Sequence, residues 1–473
     1  MGAQRSRASH CEAPSATGCL TSAAQALHLC DAHTKPDAGF AGVDGGTSSS
    51  TGRGVSFERP LGANARADQT TVRRANLGVV LKQIAAGEPR SRASVAAETG
   101  LTRGTVSSLV GELIELDLLR ETGSDEHPGR VGRPAQTLEL GDRVVSIGLE
   151  VNVDYLAVCV EDLTGTIRYE RRVHNDNRRS SPTPVLNRLA RMATEALAVV
   201  SDLQLIPAGV AVALPGIVEA QTGTLLWAPN LGWSEILVAD EIAARLPGLT
   251  GLTVRAENES NLAALAEHWQ GVARDAENFV CVFGEIGVGG GIFIDGELFR
   301  GSHGFGGEFG HITVDPSGPA CKCGSAGCLE TFVGLEAITR RAGIPIGAAG
   351  RARSITAELV RRAEDGDEAV IASLAEAGHY LGLGLGSVVN LFDVDVVVLG
   401  GCFGPFAPWL VDNVRGVLGD RVLSSAWSGC EVRASEFGEG AAVRGAAALT
   451  LMSVLAEPWL VAERAGSSRQ KVS

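Results

Sequence analysis

Residues Gly306–Glu330 read GGEFGHITVDPSGPACKCGSAGCLE, and this stretch sets the reading of the whole chain. It brings His311, Cys321, Cys323 and Cys328 into the pattern H-x9-C-x-C-x4-C, with glycines that let a short loop fold back on itself. Three thiols and an imidazole at that spacing point to zinc. A Cys3His set fills all four tetrahedral positions and leaves none open for an activated water, so the metal is expected to staple a loop. The alternative is a disulfide or a set of idle thiols. Against it, Cys321 and Cys323 are too close in sequence to pair comfortably with each other, and a disulfide gives the histidine no part. Two carboxylates flank the cluster: Glu308 lies three residues before His311, and Glu330 two residues after Cys328. A stapled loop that holds two acids at a set separation offers acceptors suited to a polyhydroxylated ligand.

The strings GEFGH and CKCGSAGCLE resemble the signature of the ROK family, which contains sugar kinases and sugar-responsive transcriptional repressors. The resemblance covers nearly everything from about Arg143 to Leu455 and implies an α/β, duplicated, two-lobed fold of the actin-like, sugar-kinase (ribonuclease H-like) kind. It also implies that His311, Glu308 and Glu330 hydrogen-bond a sugar as well as bordering the zinc. In the same family an Asn-Asp pair after a strand carries the catalytic aspartate. Here that pair is Asn258 and Glu259, which join the expected sugar ligands.

Composition is consistent with this. At 473 residues the chain can hold two or three domains, and 45% hydrophobic content supplies ample core. No apolar run reaches the roughly 18 to 20 residues of a membrane span, and the first residues, MGAQRSRASHCEAP, lack the apolar centre of a secretory signal. A cytoplasmic protein without a membrane partner is expected. Ten scattered cysteines with one cluster fit thiols in a reducing compartment. The net charge of −14 argues against a nucleic-acid coat protein but leaves room for a small DNA-binding module.

Residues 1–69 are rich in Ser, Ala, Gly and Thr and read as a disordered extension in which Cys11, Cys19 and Cys30 are idle. From residue 70 to 142 the pattern is helical and then extended. Leu77, Val80, Leu81 and Ile84 mark one helix, a short one follows Ser91, and Val106, Leu109, Val110 and Leu113 mark a third, entered through Gly100 and an N-cap at Thr102. That is a helix-turn-helix, and its exposed face carries Thr102, Arg103, Thr105, Ser107 and Ser108, residue types that reach phosphates and base edges. LDLLRETG and RPAQTLEL read as the strands of a wing whose tip carries Arg130 and Arg133, suited to a narrow A·T-rich minor groove. A three-helix protein-binding module is the alternative, and residues 71–140 do carry nine basic and nine acidic side chains.

Residues 143–456 read as two α/β halves that each open with a strand-turn-strand, at Val144 and again at Asn278, and 457–473 read as a tail. The kinase chemistry looks altered. Where the family has roughly Asp-x-Gly-Gly-Thr after the first strand, this chain has Glu150, Val151, Asn152, Val153 and Asp154, without the glycines that let amides approach phosphate. GEIGVGGG keeps glycines at Gly287 and Gly289–Gly291, read as a tight turn, with Ile286 where kinases carry threonine. Glu259 replaces the catalytic aspartate, and its extra methylene moves the oxygen by about 1 Å. The expectation is a non-enzymatic, sugar-responsive regulator, by its family resemblance a repressor of carbohydrate-metabolism genes, acting on operator DNA as a homodimer or dimer of dimers. A hexose or N-acylhexosamine kinase with an added DNA-binding domain, and a metal-stapled scaffold for another protein, are the competing readings.

Overall fold

The computed structural model describes residues 68–461, apart from residues 88, 124–135, 179, 247–250 and 346–351. Its first elements are α1 (Gln69–Ala85), β1 (Arg90–Ser91), α2 (Arg92–Thr99), α3 (Arg103–Glu115), β2 (Leu119–Thr122) and β3 (Thr137–Leu140). Each helix begins where a short polar side chain takes up an otherwise orphaned amide: Asp68 accepts from Thr71, Ser91 from Ser94, and Thr102 from Thr105. The apolar stripes of α1 and α3 are buried at all eight expected positions. β3 pairs antiparallel with β2 on one side and β1 on the other. This is the three-helix and small-sheet arrangement expected of a winged helix. The wing tip, with Arg130 and Arg133, and the extension before residue 68 lie outside the described residues.

The first lobe contains β4 (Val144–Val151), β5 (Tyr155–Asp162), β6 (Ile167–His174), α4 (Pro182–Asp202), β7 (Ile206–Leu214), β8 (Ile217–Glu219), β9 (Thr224–Ala228), β10 (Trp233–Leu237), α5 (Val238–Arg245), β11 (Val254–Asn258) and α6 (Glu259–Trp269). The second contains β12 (Phe279–Gly284), β13 (Val288–Ile294), β14 (Glu297–Leu298), α7 (Glu330–Val333), α8 (Leu335–Arg341), α9 (Ala352–Glu364), α10 (Glu368–Phe392), β15 (Val396–Gly401), α11 (Phe403–Arg421), β16 (Glu431–Ala434) and α12 (Ala441–Ala456). The sheet orders are β11-β7-β4-β5-β6 and β14-β13-β12-β15-β16. In each, three antiparallel strands come first, and two parallel strands are added beside the first of them. The expected duplication is therefore present strand for strand. β8, β9 and β10 form a separate small antiparallel sheet that the sequence did not announce.

α12 corrects the expectation about apolar length. Residues Gly438–Ala456 are long and apolar enough to cross a membrane by length and composition, yet this helix is largely buried inside the fold. It packs on β4, β5 and β7 and on α6, and a helix enclosed on most sides must be apolar around most of its circumference. Close approach is secured by small residues: a Cβ at Gly445 would come within 1.7 Å of the Leu262 carbonyl oxygen. At its far end Leu451, Val454 and Leu455 enter the same core as Leu77, Val80 and Leu109 of the winged helix. Gly78 of α1 faces the Ala456 carbonyl oxygen, which a Cβ would approach to 2.6 Å. The expected tail also begins as packed structure, because Val461 is buried in that core and the Arg74 guanidinium lies 5.6 Å from the Trp459 ring centre.

Candidate functional site: the metal loop, the cleft and the recognition helix

His311 ends a 3-10 turn, Phe309–His311, that follows β14. The loop then returns through two isolated antiparallel bridges, Thr313 with Cys328 and Ala320 with Ala326. His311, Cys321, Cys323 and Cys328 are thereby gathered with their ligand atoms all within 4.8 Å of one another. His311 Nδ1 lies 3.8 Å from Cys321 Sγ, and Cys323 Sγ lies 3.7 Å from Cys328 Sγ. Those separations are far beyond a disulfide bond. They match the edge of a tetrahedron with metal–sulfur bonds of about 2.3 Å, an edge of roughly 3.8 Å. All four residues expected at a metal are thus brought together in a geometry that a metal ion fits. Nδ1 is the imidazole nitrogen turned to the sulfurs, so Nε2 faces outward.

On the same wall, Glu308 is exposed to the cleft, and among the described residues its carboxylate has no hydrogen-bond partner. It is still partly ringed by protein. That desolvation raises its pKa above the usual range, with His311 pulling it down and Glu330 adding to the rise. Glu330 opens α7 and accepts from the Val288 amide at 3.1 Å. Phe309 is buried against β13, where Gly290 leaves room for the ring: a Cβ there would sit 2.0 Å from it. The glycine-rich turn expected between strands is the β12–β13 hairpin; Gly290 makes room for Phe309, while Gly289 and Gly291 lie against Ser260 and Ala264 of α6.

The facing wall is the start of α6. Asn258 is its N-cap: Oδ1 accepts from Ser260 at 2.8 Å and Asn261 at 3.1 Å, and Nδ2 donates to the Gly216 carbonyl at 2.9 Å. This expected sugar ligand is largely occupied with capping and keeps one amide hydrogen to offer. Glu259 is better placed, since its Oε2 is buried without a hydrogen-bond partner. Burial first, and Glu150 second, push its pKa up to about 8.

Beside this wall lies a group of residues that had drawn no attention in the sequence or had been read only as losses. The turn between β4 and β5, Glu150–Asp154, does not stand open; it contacts the second lobe. Asn152 Nδ2 donates to Glu285 Oε2, and Asp154 Oδ2 accepts from the Ala352 amide at 3.2 Å. Tyr155 donates to Glu150 Oε1 at 2.6 Å, with Glu285 Oε1 3.3 Å from the same hydroxyl. Arg172 covers the Tyr155 ring at 4.4 Å and is bound by Glu439, through Oε2 at 2.7 Å and the carbonyl oxygen at 2.8 Å. Burial pushes the Glu150 pKa up to about 7 and that of Glu285 well above the carboxylate range. Glutamates at turn positions give no pattern of their own, and only the folded proximity of β4, β12 and α12 reveals the cluster.

At the other end, α3 shows which of the residues expected to contact DNA are free. Arg103 and Ser107 are exposed, and Arg103 makes no ion pair among the described residues. Thr102 and Thr105 bond each other at 2.9 Å within the cap, and Ser108 lies 3.4 Å from Arg73. Three arginines of this module are neutralised locally. Arg73 pairs with Glu112, Arg90 with Glu98, and Arg92 with Glu121.

Two α/β halves of equivalent strand order, each three antiparallel strands with two parallel strands added, are the actin-like sugar-kinase fold. The ROK family profile matches residues 146–452, and the chain belongs to the ROK family. It is 29% identical over 397 residues to a putative xylose repressor of Caldicellulosiruptor sp. (strain Rt8B.4), a match covering 82% of this chain and 98% of the relative. Among solved structures it is similar to a ROK family transcriptional regulator described as a homolog of the E. coli MLC protein (TM-score 0.68, 28% identity, 82% of this chain, 99% of that one). A ROK family glucokinase from Streptomyces griseus in complex with glucose and AMPPNP is matched over 64% of this chain and 98% of its own (TM-score 0.55, 28% identity). The regulators thus align over more of the chain than the kinase does.

Proposed function

We propose that this protein is a sugar-responsive transcriptional repressor of carbohydrate-metabolism genes, working in the cytoplasm on operator DNA. The observation that carries the reading is the helix-turn-helix module of residues 70–142 packed onto the same α12 that runs through the sugar-kinase-like domain of residues 143–456. Relatives named as repressors align over nearly their whole length, which supports the same combination here. The sugar is held between the lobes by Glu308, His311 and Glu330 on one side and Glu259, with a lesser share from Asn258, on the other. Zinc on His311, Cys321, Cys323 and Cys328 fixes the loop that presents Glu308 and leaves His311 Nε2 for the ligand. Differential affinity for one lobe arrangement then biases the winged helices. Thr102, Arg103, Thr105, Ser107 and Ser108 face the major groove, and Arg130 and Arg133 reach the minor groove. Two half-sites require two readers, hence a homodimer or a dimer of dimers.

A sugar-kinase activity is disfavoured by the acids at the turn that would have to cradle phosphate. Glu150, Asp154 and Glu285 stand there, with Arg172 already held by Glu439. The deciding experiment is fluorescence anisotropy of the full chain on DNA from upstream of its own gene, titrated with a panel of free sugars, alongside a coupled ADP-release assay. Specific DNA binding relieved by one sugar, with no ADP release, is expected. Steady ADP release abolished by Glu259→Gln reverses the assignment.

A further inference from the structure

The contact between the β4–β5 turn and the second lobe hangs on the proton count at one hydroxyl. The Tyr155 hydroxyl oxygen lies 2.6 Å from Glu150 Oε1 of its own lobe, and 3.3 Å from both Glu285 Oε1 and the Glu439 carbonyl oxygen of the other. A phenol has one proton to donate and otherwise accepts. If that proton goes to Glu150 at the short contact, Glu285 Oε1 faces the hydroxyl oxygen with nothing between them, unless Glu285 carries a proton of its own and donates it to Tyr155. The mirror arrangement, with the added proton on Glu150 and the phenol turned to Glu285, needs the same count. Either way two carboxyl groups share one proton across Tyr155. The other oxygen of Glu285, Oε2, accepts from Asn152 Nδ2, so both its oxygens meet the first lobe. Glu150, Asn152 and Tyr155 are buried, whereas Glu285 is half-buried and gives the proton a route to solvent.

The groups around Glu285 add to the demand for that proton. Glu150 of β4, Glu259 of α6 and Glu439 of the turn before α12 all face it, as does the Cys402 thiol before α11. Arg172 of β6 is the cation on this side, and it is held by Glu439 and by the Tyr155 ring. Behind Glu439 stand Asp154 and Arg353 of α9, and on the far side of the Glu285 turn Glu330 of α7 is taken up by the Val288 amide. Burial first, and the neighbouring acids second, hold the Glu285 carboxyl well above the usual range, and burial brings Glu150 up to about 7.

We propose that the β4–β5 turn and the start of the β12–β13 turn form a proton-dependent clasp between the lobes, closed while Glu150 and Glu285 share one proton through Tyr155 and released when that proton passes to solvent. Without the proton, two carboxylates face a single hydroxyl at close range, and like charges in a poorly hydrated space repel. The closed form holds a proton that the open form gives up, so closure is favoured at low pH and weakens by up to about tenfold per pH unit as pH rises through the closed-form titration. The proposal does not depend on what the cleft binds. Because Glu439 leads straight into α12, the clasp gives proton concentration a hold on the helix that carries the winged helix.

The test is hydrogen exchange of the full chain, read by mass spectrometry at about pH 6.5 and pH 8.5 and corrected for the intrinsic rate at each. Peptides covering residues 150–157 and 284–289, and the Ala352 amide that bonds Asp154 across the lobes at 3.2 Å, should lose about tenfold or more of their protection at the higher pH, while β7 and β15 keep theirs. Glu285→Gln supplies the donor permanently, since its amide nitrogen can donate to Tyr155 while its oxygen accepts from Asn152. Protection of these peptides should then stay high and equal at the two pH values. Tyr155→Phe removes the shared hydroxyl and should lower protection already at pH 6.5, with little further loss at pH 8.5; it decides the matter if Glu285→Gln does not fold. Wild-type protection that is the same at both pH values, or that falls equally in β7 and β15, overturns the clasp. So does either variant keeping the wild-type pH dependence.

Discussion

Replacing Glu308 by alanine separates sensing from folding. Its carboxylate is exposed to the cleft and makes no hydrogen bond within the described residues, so truncation leaves no buried group unpartnered. The backbone of this segment is held instead by buried Phe309 and by the His311 amide bonding back to the Glu308 carbonyl. What is lost is a charged acceptor to the sugar, worth about 1.5 to 3 kcal/mol, or roughly ten- to a hundredfold in affinity. Among the described residues, the core of the winged helix includes no residue of this loop, so operator affinity without sugar should stay at the wild-type value. The sugar concentration needed for release from DNA should rise by the same factor as the sugar dissociation constant, because the two are linked through one equilibrium. Anisotropy titrations of wild type and Glu308→Ala on one labelled operator, at a series of sugar concentrations, measure both numbers. A mutant that fails to bind operator in the absence of sugar would show Glu308 to be structural, and the sensing role assigned to it would be refuted.

Metal analysis should find one zinc per wild-type chain and little in Cys323→Ser, which opens the tetrahedral set; full zinc in the mutant contradicts the ligand assignment. Arg133→Ala should weaken operator binding and reduce the preference for A·T pairs flanking the half-site, measured as the ratio of affinities for A·T- and G·C-flanked duplexes; an unchanged ratio removes the wing from the minor groove. Stability should fall as pH rises. Glu150 and Glu259 have folded pKa values pushed from 4.5 to about 7 and about 8, opposed at Glu150 by Arg172 and Tyr155, and reinforced at Glu150 by Glu439 and at Glu259 by Glu150. The folded chain therefore holds protons that the unfolded chain releases, so this contribution is full below about 4.5 and is lost through 7 to 8. Urea midpoints at pH 6 and pH 8.5 should differ in that direction, and less so in Glu259→Gln; identical midpoints at the two pH values count against the buried acid cluster.

The candidate metal ligands were legible because four side chains at fixed spacing in one loop are a local signal, and the structure gathers all four. The winged-helix helices were legible for a similar reason, since Leu77, Val80, Leu81 and Ile84 repeat the helical period on one face. The parallel arrangement of lobes followed from a repeated strand-turn-strand. What could not be read was everything depending on which distant turns meet. Glu150 stands on β4, Glu285 in the β12–β13 turn of the other sheet, and Glu439 in the 3-10 turn before α12, yet they share Tyr155 and Arg172. Asn258 was chosen from its place beside Glu259, but an asparagine before a helix is equally an N-cap, and that is how its oxygen is used. Net charge was similarly blind to pairing, since Arg73, Arg90 and Arg92 face carboxylates of their own module.

α12 gives the molecule a lever. The residue just before the short turn at its start, Phe437, leads into Glu439, which grips Arg172 and Tyr155 at the cleft, and the other end of the helix carries the winged helix on Leu451, Val454 and Leu455. Sixteen residues of helix span about 24 Å. A tilt of about 5° at the cleft end therefore swings the far end by roughly 2 Å. In a two-fold assembly both readers swing, and the distance between recognition helices changes by up to twice that amount, against a half-site spacing of about 34 Å that DNA sets rigidly. A ligand need not touch the DNA-binding module, or loosen it, to spoil its register. If the rod tilts as one body, a substitution along its buried face should change how far sugar binding is geared to DNA release while leaving sugar affinity and DNA affinity, measured separately, unchanged.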